Sequence, residues 1–148
     1  MKNSITISQT IYIEATPECV WDFTQNYNNR TIWDQSIISV EVINETAPKE
    51  VKIKSKGGLQ TVLVYKQENK PHKTSLAMKE TKSFFIKGGG GSWKYQKKDA
   101  GTLWKQTNTI ILKNVFVRFF LGKYIKRVLE KETLKSMQKA KQCIEEIN

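Results

Sequence analysis

A chain of 148 residues, 39% hydrophobic and 10% aromatic, has the size of one ordinary domain and enough apolar content to fill a core. No apolar run approaches membrane-span length, and the N-terminal MKNSITISQT lacks the apolar segment of a secretory signal; stable membrane insertion is not expected and a cytoplasmic location is. The net charge of +11 is uneven, −4 over residues 1–48 and +15 over residues 49–148. A basic body can attract nucleic acid, anionic lipid or an acidic protein. All its cations but Arg30, Arg118 and Arg127 are Lys, whereas specific phosphate readers lean on Arg forks, so solubility and edge protection are the favoured reading and no specific nucleic acid is expected.

Residues 4–14 alternate, with Ile5, Ile7, Ile11 and Ile13 on one side and Thr6, Ser8, Thr10 and Tyr12 on the other, which predicts a half-buried strand. Thr16 is a natural helix N-cap, Pro17 suits the first helical position and Glu18 favours the positive end of the dipole. The helix they start is expected to reach about Tyr27, with a second short one over residues 31–34. Strands follow over residues 37–44, 51–55, 59–67, 74–80, 83–86, 93–97 and 103–112, separated by turn residues at 47–49, 57–58, 69–71 and 99–101. Cys19 and Cys143 are far apart and fit reduced thiols.

Lysines of one parity mark the wet face of each strand. They turn inward Val51 and Ile53; Thr61, Leu63 and Tyr65; Thr74, Leu76 and Met78; Trp93 and Tyr95; and Trp104, Gln106, Asn108 and Ile110. A bulge, expected near residues 88–91, would flip such an assignment.

Val115–Ile147 holds no Pro and a single Gly, and its apolar residues recur at helical spacing. A helix that long spans roughly 45 Å, against a radius of gyration of about 15 Å for a compact chain of this size. It therefore crosses the whole domain and needs a large apolar surface to lie on. Lys123, Arg127, Lys131, Lys135 and Lys139 form an i+4 stripe on its other side.

Reactive constellations are sparse. The only histidine, His72, follows Pro71 in a turn, so a Ser/His/Asp or Cys/His pair is not expected. No His, Cys or carboxylate spacing points to a metal, and no cofactor is expected. Lys-Gly-Gly-Gly-Gly-Ser at 87–92 lacks the GK[ST] ending and the following helix of a phosphate loop, and reads as a strand edge, bulge or mobile pocket rim.

Ile11-Tyr12-Ile13-Glu14-Ala15-Thr16-Pro17-Glu18-Cys19-Val20-Trp21-Asp22-Phe23, followed by Trp33, resembles the opening signature of the START-like (SRPBCC) superfamily, which includes polyketide cyclase/dehydrase-type, birch-pollen-allergen-like and lipid-transfer proteins. Tyr95, Asp99-Ala100-Gly101-Thr102 and the long terminal helix are similar too. The resemblance covers the whole chain and implies one α+β domain, 1–148: a helix-grip fold in which a curved antiparallel sheet of about seven strands wraps the C-terminal helix, with two short helices after the first strand. It also implies an apolar cavity between sheet and helices.

A sheet curved around one helix leaves space that large side chains or a ligand must fill. The residues expected to line it are Trp33, Tyr65, Met78, Trp93, Tyr95, Trp104, Gln106, Asn108, Phe120 and Tyr124, with the Gly57–Gly58 turn and residues 26–33 and 88–91 gating it. The competing expectation is that these rings plug the core. The reading that follows is a non-catalytic carrier or sensor of a small hydrophobic or amphipathic molecule, monomeric or weakly dimeric. A cyclase- or dehydrase-type enzyme assisted by Tyr65, Tyr95 or Asn108 is the alternative, although inward Arg and His, which assist in such relatives, are scarce here. A third possibility is an interaction module whose basic stripe docks an acidic partner, an anionic membrane or RNA.

Overall fold

The computed structural model describes residues 3–147; Met1, Lys2 and Asn148, which the expected 1–148 domain includes, lie outside the described residues. Its elements are β1 (Ser4–Ile13), α1 (Pro17–Gln25), α2 (Arg30–Trp33), β2 (Ile37–Asn44), β3 (Glu50–Ser55), β4 (Gln60–Asn69), β5 (Lys73–Lys82), β6 (Ile86–Lys98), β7 (Gly101–Leu112) and α3 (Val115–Ile147). The seven strands form one antiparallel sheet in the order β1-β7-β6-β5-β4-β3-β2. This is the helix-grip arrangement.

Two expected strands, 83–86 and 93–97, are replaced by one: residues 83–85 form the β5–β6 turn, and β6 runs on through the glycines at 88–91, expected as a strand edge, bulge or mobile rim, pairing Gly90 with Ala77 and Thr109, and Gly91 with Leu76 and Asn108. The backbone ladder continues without side chains, and the register shift comes between Ile86 and Gly88. At Gly89 and Gly90 glycine is needed because backbone passes close by: a Cβ on Gly90 would lie 2.6 Å from the Leu76 carbonyl oxygen. Short helix α1 ends at Gln25 instead of reaching Tyr27.

β1 is an edge strand, and α3 runs parallel to it and covers it. Four side-chain bonds sew the two together. Arg118 Nε donates to the Ser4 carbonyl (2.9 Å), Gln9 Nε2 to the Glu130 carbonyl (3.0 Å) and Lys141 Nζ to the Tyr12 carbonyl (2.7 Å). The Glu14 amide donates to Glu145 Oε2 (2.8 Å). Covering the edge removes a row of unpaired polar groups that would otherwise invite another strand. Towards its end α3 buries Met137, Ala140 and Ile144 completely against Ile13, Val20, Trp21 and Trp104. Burial of Met137 and Ile144 is worth about 1.5–3 kcal/mol each. Nearer its start, Val117, Ile125 and Leu129 pack on Ile5, Ile7 and Leu112.

α1 is fixed to the sheet by a directed hydrogen-bond chain. The Thr16 side chain caps the helix by accepting from the Cys19 amide (3.3 Å). Thr24 Oγ1 donates to the Val20 carbonyl (2.8 Å), so at its contact with Tyr95 (2.8 Å) the Tyr95 hydroxyl is the donor. Gln25 Nε2 donates to the Tyr95 oxygen (2.8 Å), and Gln25 Oε1 accepts from the Tyr65 hydroxyl (3.0 Å). Tyr27 is then left to donate to Tyr65. Each hydroxyl in this chain donates once, which joins α1 to β4 and β6.

Burial drives the pKa of Tyr65, and of Tyr95 despite its hydrogen bonds from α1, well above the ordinary 10.0. The unfolded chain gives up these protons near pH 10.0 and the folded one only at higher pH, so the native state binds more protons in that window. Stability is therefore expected to be full below pH 10.0 and to fall as pH rises above it. Denaturation midpoints measured across alkaline pH check this. Tyr95→Phe should cost about 1–2 kcal/mol at neutral pH and flatten the alkaline fall.

Candidate functional site

Between the middle of α3 and the concave face of the sheet lies a cavity of about 210 Å³. Its position follows from a break in the α3 stripe. Between Leu129 and Met137 the stripe that faces the cavity is Leu129, Glu132, Thr133 and Ser136, spaced i, i+3, i+4, i+7, and all four line it. The sheet adds Ile53 and Leu63 from β3 and β4, Leu76 and Met78 from β5, Trp93 from β6, and Gln106, Asn108 and Ile110 from β7. Gly90 also lines the cavity, where its backbone forms part of the wall. Exposed Ser36 and Glu132, both lining residues, mark the mouth between the α2–β2 linker and α3. The Ser136 hydroxyl closes that seam by accepting from the Gln35 amide (3.2 Å).

Trp33 and Trp93 give the cavity an aromatic side, and with fully buried Trp104 behind them they form a triangle with ring centroids 5.5–5.8 Å apart and every pair edge-on. Each such pair adds about 0.5–1.5 kcal/mol beyond area burial. Among the described residues the buried indole N–H groups of Trp33 and Trp104 meet no acceptor, so these rings contribute apolar surface and not hydrogen bonds.

Arg30, 8% exposed, sits on this aromatic wall. Its guanidinium carbon lies 5.0 Å from the Trp33 ring centre and 4.7 Å from that of Trp93, and Nε donates to Asp34 (2.9 Å). Burial alone would pull its pKa down; the charge of Asp34, together with Tyr27 and Tyr65, more than offsets this, and the pKa is raised. The result is a fixed, buried positive charge stacked on two indoles. Beside the Trp93 ring, Asn108 Nδ2 donates to Gln106 Oε1 (3.0 Å), and Asn108 Oδ1 accepts from Trp93 Nε1 (3.4 Å).

Of the ten residues expected at the site, Trp33, Met78, Trp93, Gln106 and Asn108 come together on the cavity wall. Tyr65 is buried beside it with Ile37, Val51 and Leu63, and its hydroxyl is taken by α1. Tyr95 and Trp104 are buried in the neighbouring core. Phe120 and Tyr124 do not point inward: they are 74% and 68% exposed. The first half of α3 is apolar on both faces, so periodicity could not tell them from Val117, Ile125 and Leu129, which do pack inward. Arg30, left out of the expected site residues, is inward. Its (i, i+4) spacing from Asp34 beside Trp33 was the available signal, and the polar break in the α3 stripe was the signal for Thr133 and Ser136.

A wider depression of about 490 Å³ lies at the start of α1 against the β4–β5 and β6–β7 turns. Its rim includes exposed Glu18, His72, Lys94 and Lys97, and α3, which covers the smaller cavity, contributes nothing to its lining. Among the described residues no group of three or more His, Cys, Asp or Glu could hold a metal ion.

Three solved structures share this fold over nearly the whole chain. A Thermus thermophilus protein is 13% identical with a TM-score of 0.81, covering 94% of this chain and 96% of its own. A START superfamily protein from Mycobacterium smegmatis is 12% identical with a TM-score of 0.79, covering 97% and 99%. The Zhui aromatase/cyclase from Streptomyces sp. R1128 is 13% identical with a TM-score of 0.77, covering 96% and 94%. At such identities the likeness carries the fold alone. No curated protein matches the chain. Residues 4–142 match the family described as polyketide cyclase/dehydrase and lipid transport, and the chain, a START-like helix-grip protein, belongs to that family.

Proposed function

We propose that the protein binds a small apolar molecule bearing one acidic or hydrogen-bond-accepting group, and carries or senses it without transforming it. The observation that supports this is the two-sided cavity wall, with Trp33, Trp93, Leu63, Leu76 and Met78 as apolar surface and Gln106, Asn108, Ser136 and the Arg30–Asp34 pair as polar groups, Glu132 standing at the mouth. At about 210 Å³ it is smaller than the roughly 300–1,000 Å³ typical of pockets for drug-sized ligands, which favours a body of one or two rings or a short acyl chain. Asp34 already pairs with Arg30 Nε, so a carboxylate or an enolate-like oxygen would be held by the remaining N–H groups of the guanidinium. Amides at 106 and 108 orient a guest but are poor proton carriers, and His72 is exposed outside the cavity. These features favour holding over turnover.

A panel of one- and two-ring or short-chain carboxylic acids, paired with neutral analogues, tests the reading. A ligand that binds only the native state at about 100 times its Kd stabilises by about 2.7 kcal/mol, which corresponds to a rise in Tm of roughly 5–10 °C. The acids are expected to raise Tm, to perturb tryptophan fluorescence through Trp33 and Trp93, and to be recovered unchanged. No rise in Tm with any probe would count against binding, and chemical conversion of a bound probe would count against a carrier. Arg30→Lys keeps the charge while losing the planar fork, and is expected to weaken acid binding about tenfold or more with little effect on the neutral analogues.

The glycine at 91 gives a steric test. A Cβ there would lie 2.5 Å from Asn108 Oδ1. Gly91→Val should displace the Asn108 amide, cost about 1–3 kcal/mol in a denaturation experiment and lower affinity for any probe that binds the wild type.

A further inference from the structure

One corner of the molecule combines protruding aromatic rings with cations. At the β5–β6 turn Phe84 and Phe85 are 86% and 57% exposed, and on the first turns of α3 Phe116, Phe119, Phe120 and Tyr124 are 64–74% exposed. The two segments are tied together: the Lys113 amide donates to the Phe85 carbonyl (2.8 Å), and the Ser83 hydroxyl accepts from the amides of Phe85 (3.2 Å) and Ile86 (3.1 Å). On α3 the rings share the outer face with Lys123, Lys126 and Arg127, all exposed, while Val117, Ile125 and Leu129 hold the inner face against the sheet. Lys82, Lys87 and Lys113 surround the turn, and residues 81–88 and 113–129 contain no Asp or Glu.

We propose that this corner is a docking surface for an anionic lipid bilayer, with the phenylalanines entering the headgroup–acyl boundary and the cations resting on the phosphates. Aromatic and aliphatic side chains on a cationic helix face are what an interfacial helix requires. A flanking Lys or Arg strengthens attraction to an anionic leaflet by about fivefold in partitioning. The docking is peripheral, since no described helix is long and apolar enough to cross a membrane. A second copy fits less well: a two-fold contact would set this acid-free, cationic patch against itself, and like charges oppose that.

The test is sedimentation of the full chain, free of added ligand, with vesicles of phosphatidylcholine alone and of phosphatidylcholine mixed with phosphatidylglycerol. Binding is expected to the mixed vesicles only, and to be reversed by salt. Phe119→Ser/Phe120→Ser should weaken it about tenfold or more, and Lys123→Gln/Arg127→Gln similarly. All four side chains are exposed, so unchanged Tm is expected; should the serine variant misfold, the glutamine variant carries the test alone. No binding to the mixed vesicles would overturn the proposal, as would full binding by a folded variant. A concentration-dependent dimer that the serine variant abolishes would overturn it in favour of a self-interface. The experiment reads attachment to lipid and not occupancy of the cavity, so its failure leaves the ligand-binding reading standing.

Discussion

The structure depends on one helix serving as partner to a sheet wider than itself. α3 can cover the edge of β1 and fill the closed end with Met137, Ala140 and Ile144, but it cannot also reach across to β3, β4 and β5. Where it falls short, the interior must be plugged by large side chains or left open. Both solutions are used. Trp33, Trp93 and Trp104 pack against one another at the closed end, and beyond them, where β6 carries glycines and α3 turns to Thr133 and Ser136, space remains.

That shortfall also explains why polar groups collect in the middle of the molecule. A buried arginine is costly unless it is paired, and Arg30 has Asp34 beside it and two indole faces under its guanidinium. The Gln106 and Asn108 side chains hydrogen-bond to each other. The Tyr27–Tyr65–Gln25–Tyr95–Thr24 chain, a few residues away, does the same work for α1: every hydroxyl is placed, so the helix that roofs the aromatic core is held in one position. Chamber and roof thus share their supports, with Arg30 5.6 Å from the Tyr27 ring and directly over Trp93.

The two ends of α3 have opposite characters. Its last turns are buried against α1 and the tryptophans; its first turns pack one face on Ile5, Ile7 and Leu112 and leave a second apolar face uncovered. A helix apolar all round is ordinarily a buried one. Here the outer rings alternate with cations, and the chain's excess positive charge is concentrated in part where its most exposed phenylalanines stand.

The sequence by itself determined the architecture, because each element is set by local rules: the alternation in β1, the Thr16-Pro17 start of α1, the lysine parity that turned Val51, Ile53, Leu63, Trp93 and Trp104 inward, and the unbroken helical stretch from Val115. Eight of the ten expected wall residues lie on central strands or α2, where a side chain's direction follows from its parity or its neighbours, and five of those eight reach the cavity. Tertiary structure alone decided the rest. Glycines permit strand and loop equally, so only pairing with β5 and β7 could show residues 88–91 to be strand. Phe120 and Val117 are equally apolar on the same helix, and which of them faces the sheet depends on how α3 is rotated by its bonds to β1. Arg30 was legible as a charge but not as a buried one, since its burial requires Trp93, roughly sixty residues away in sequence, to supply the surface it lies on.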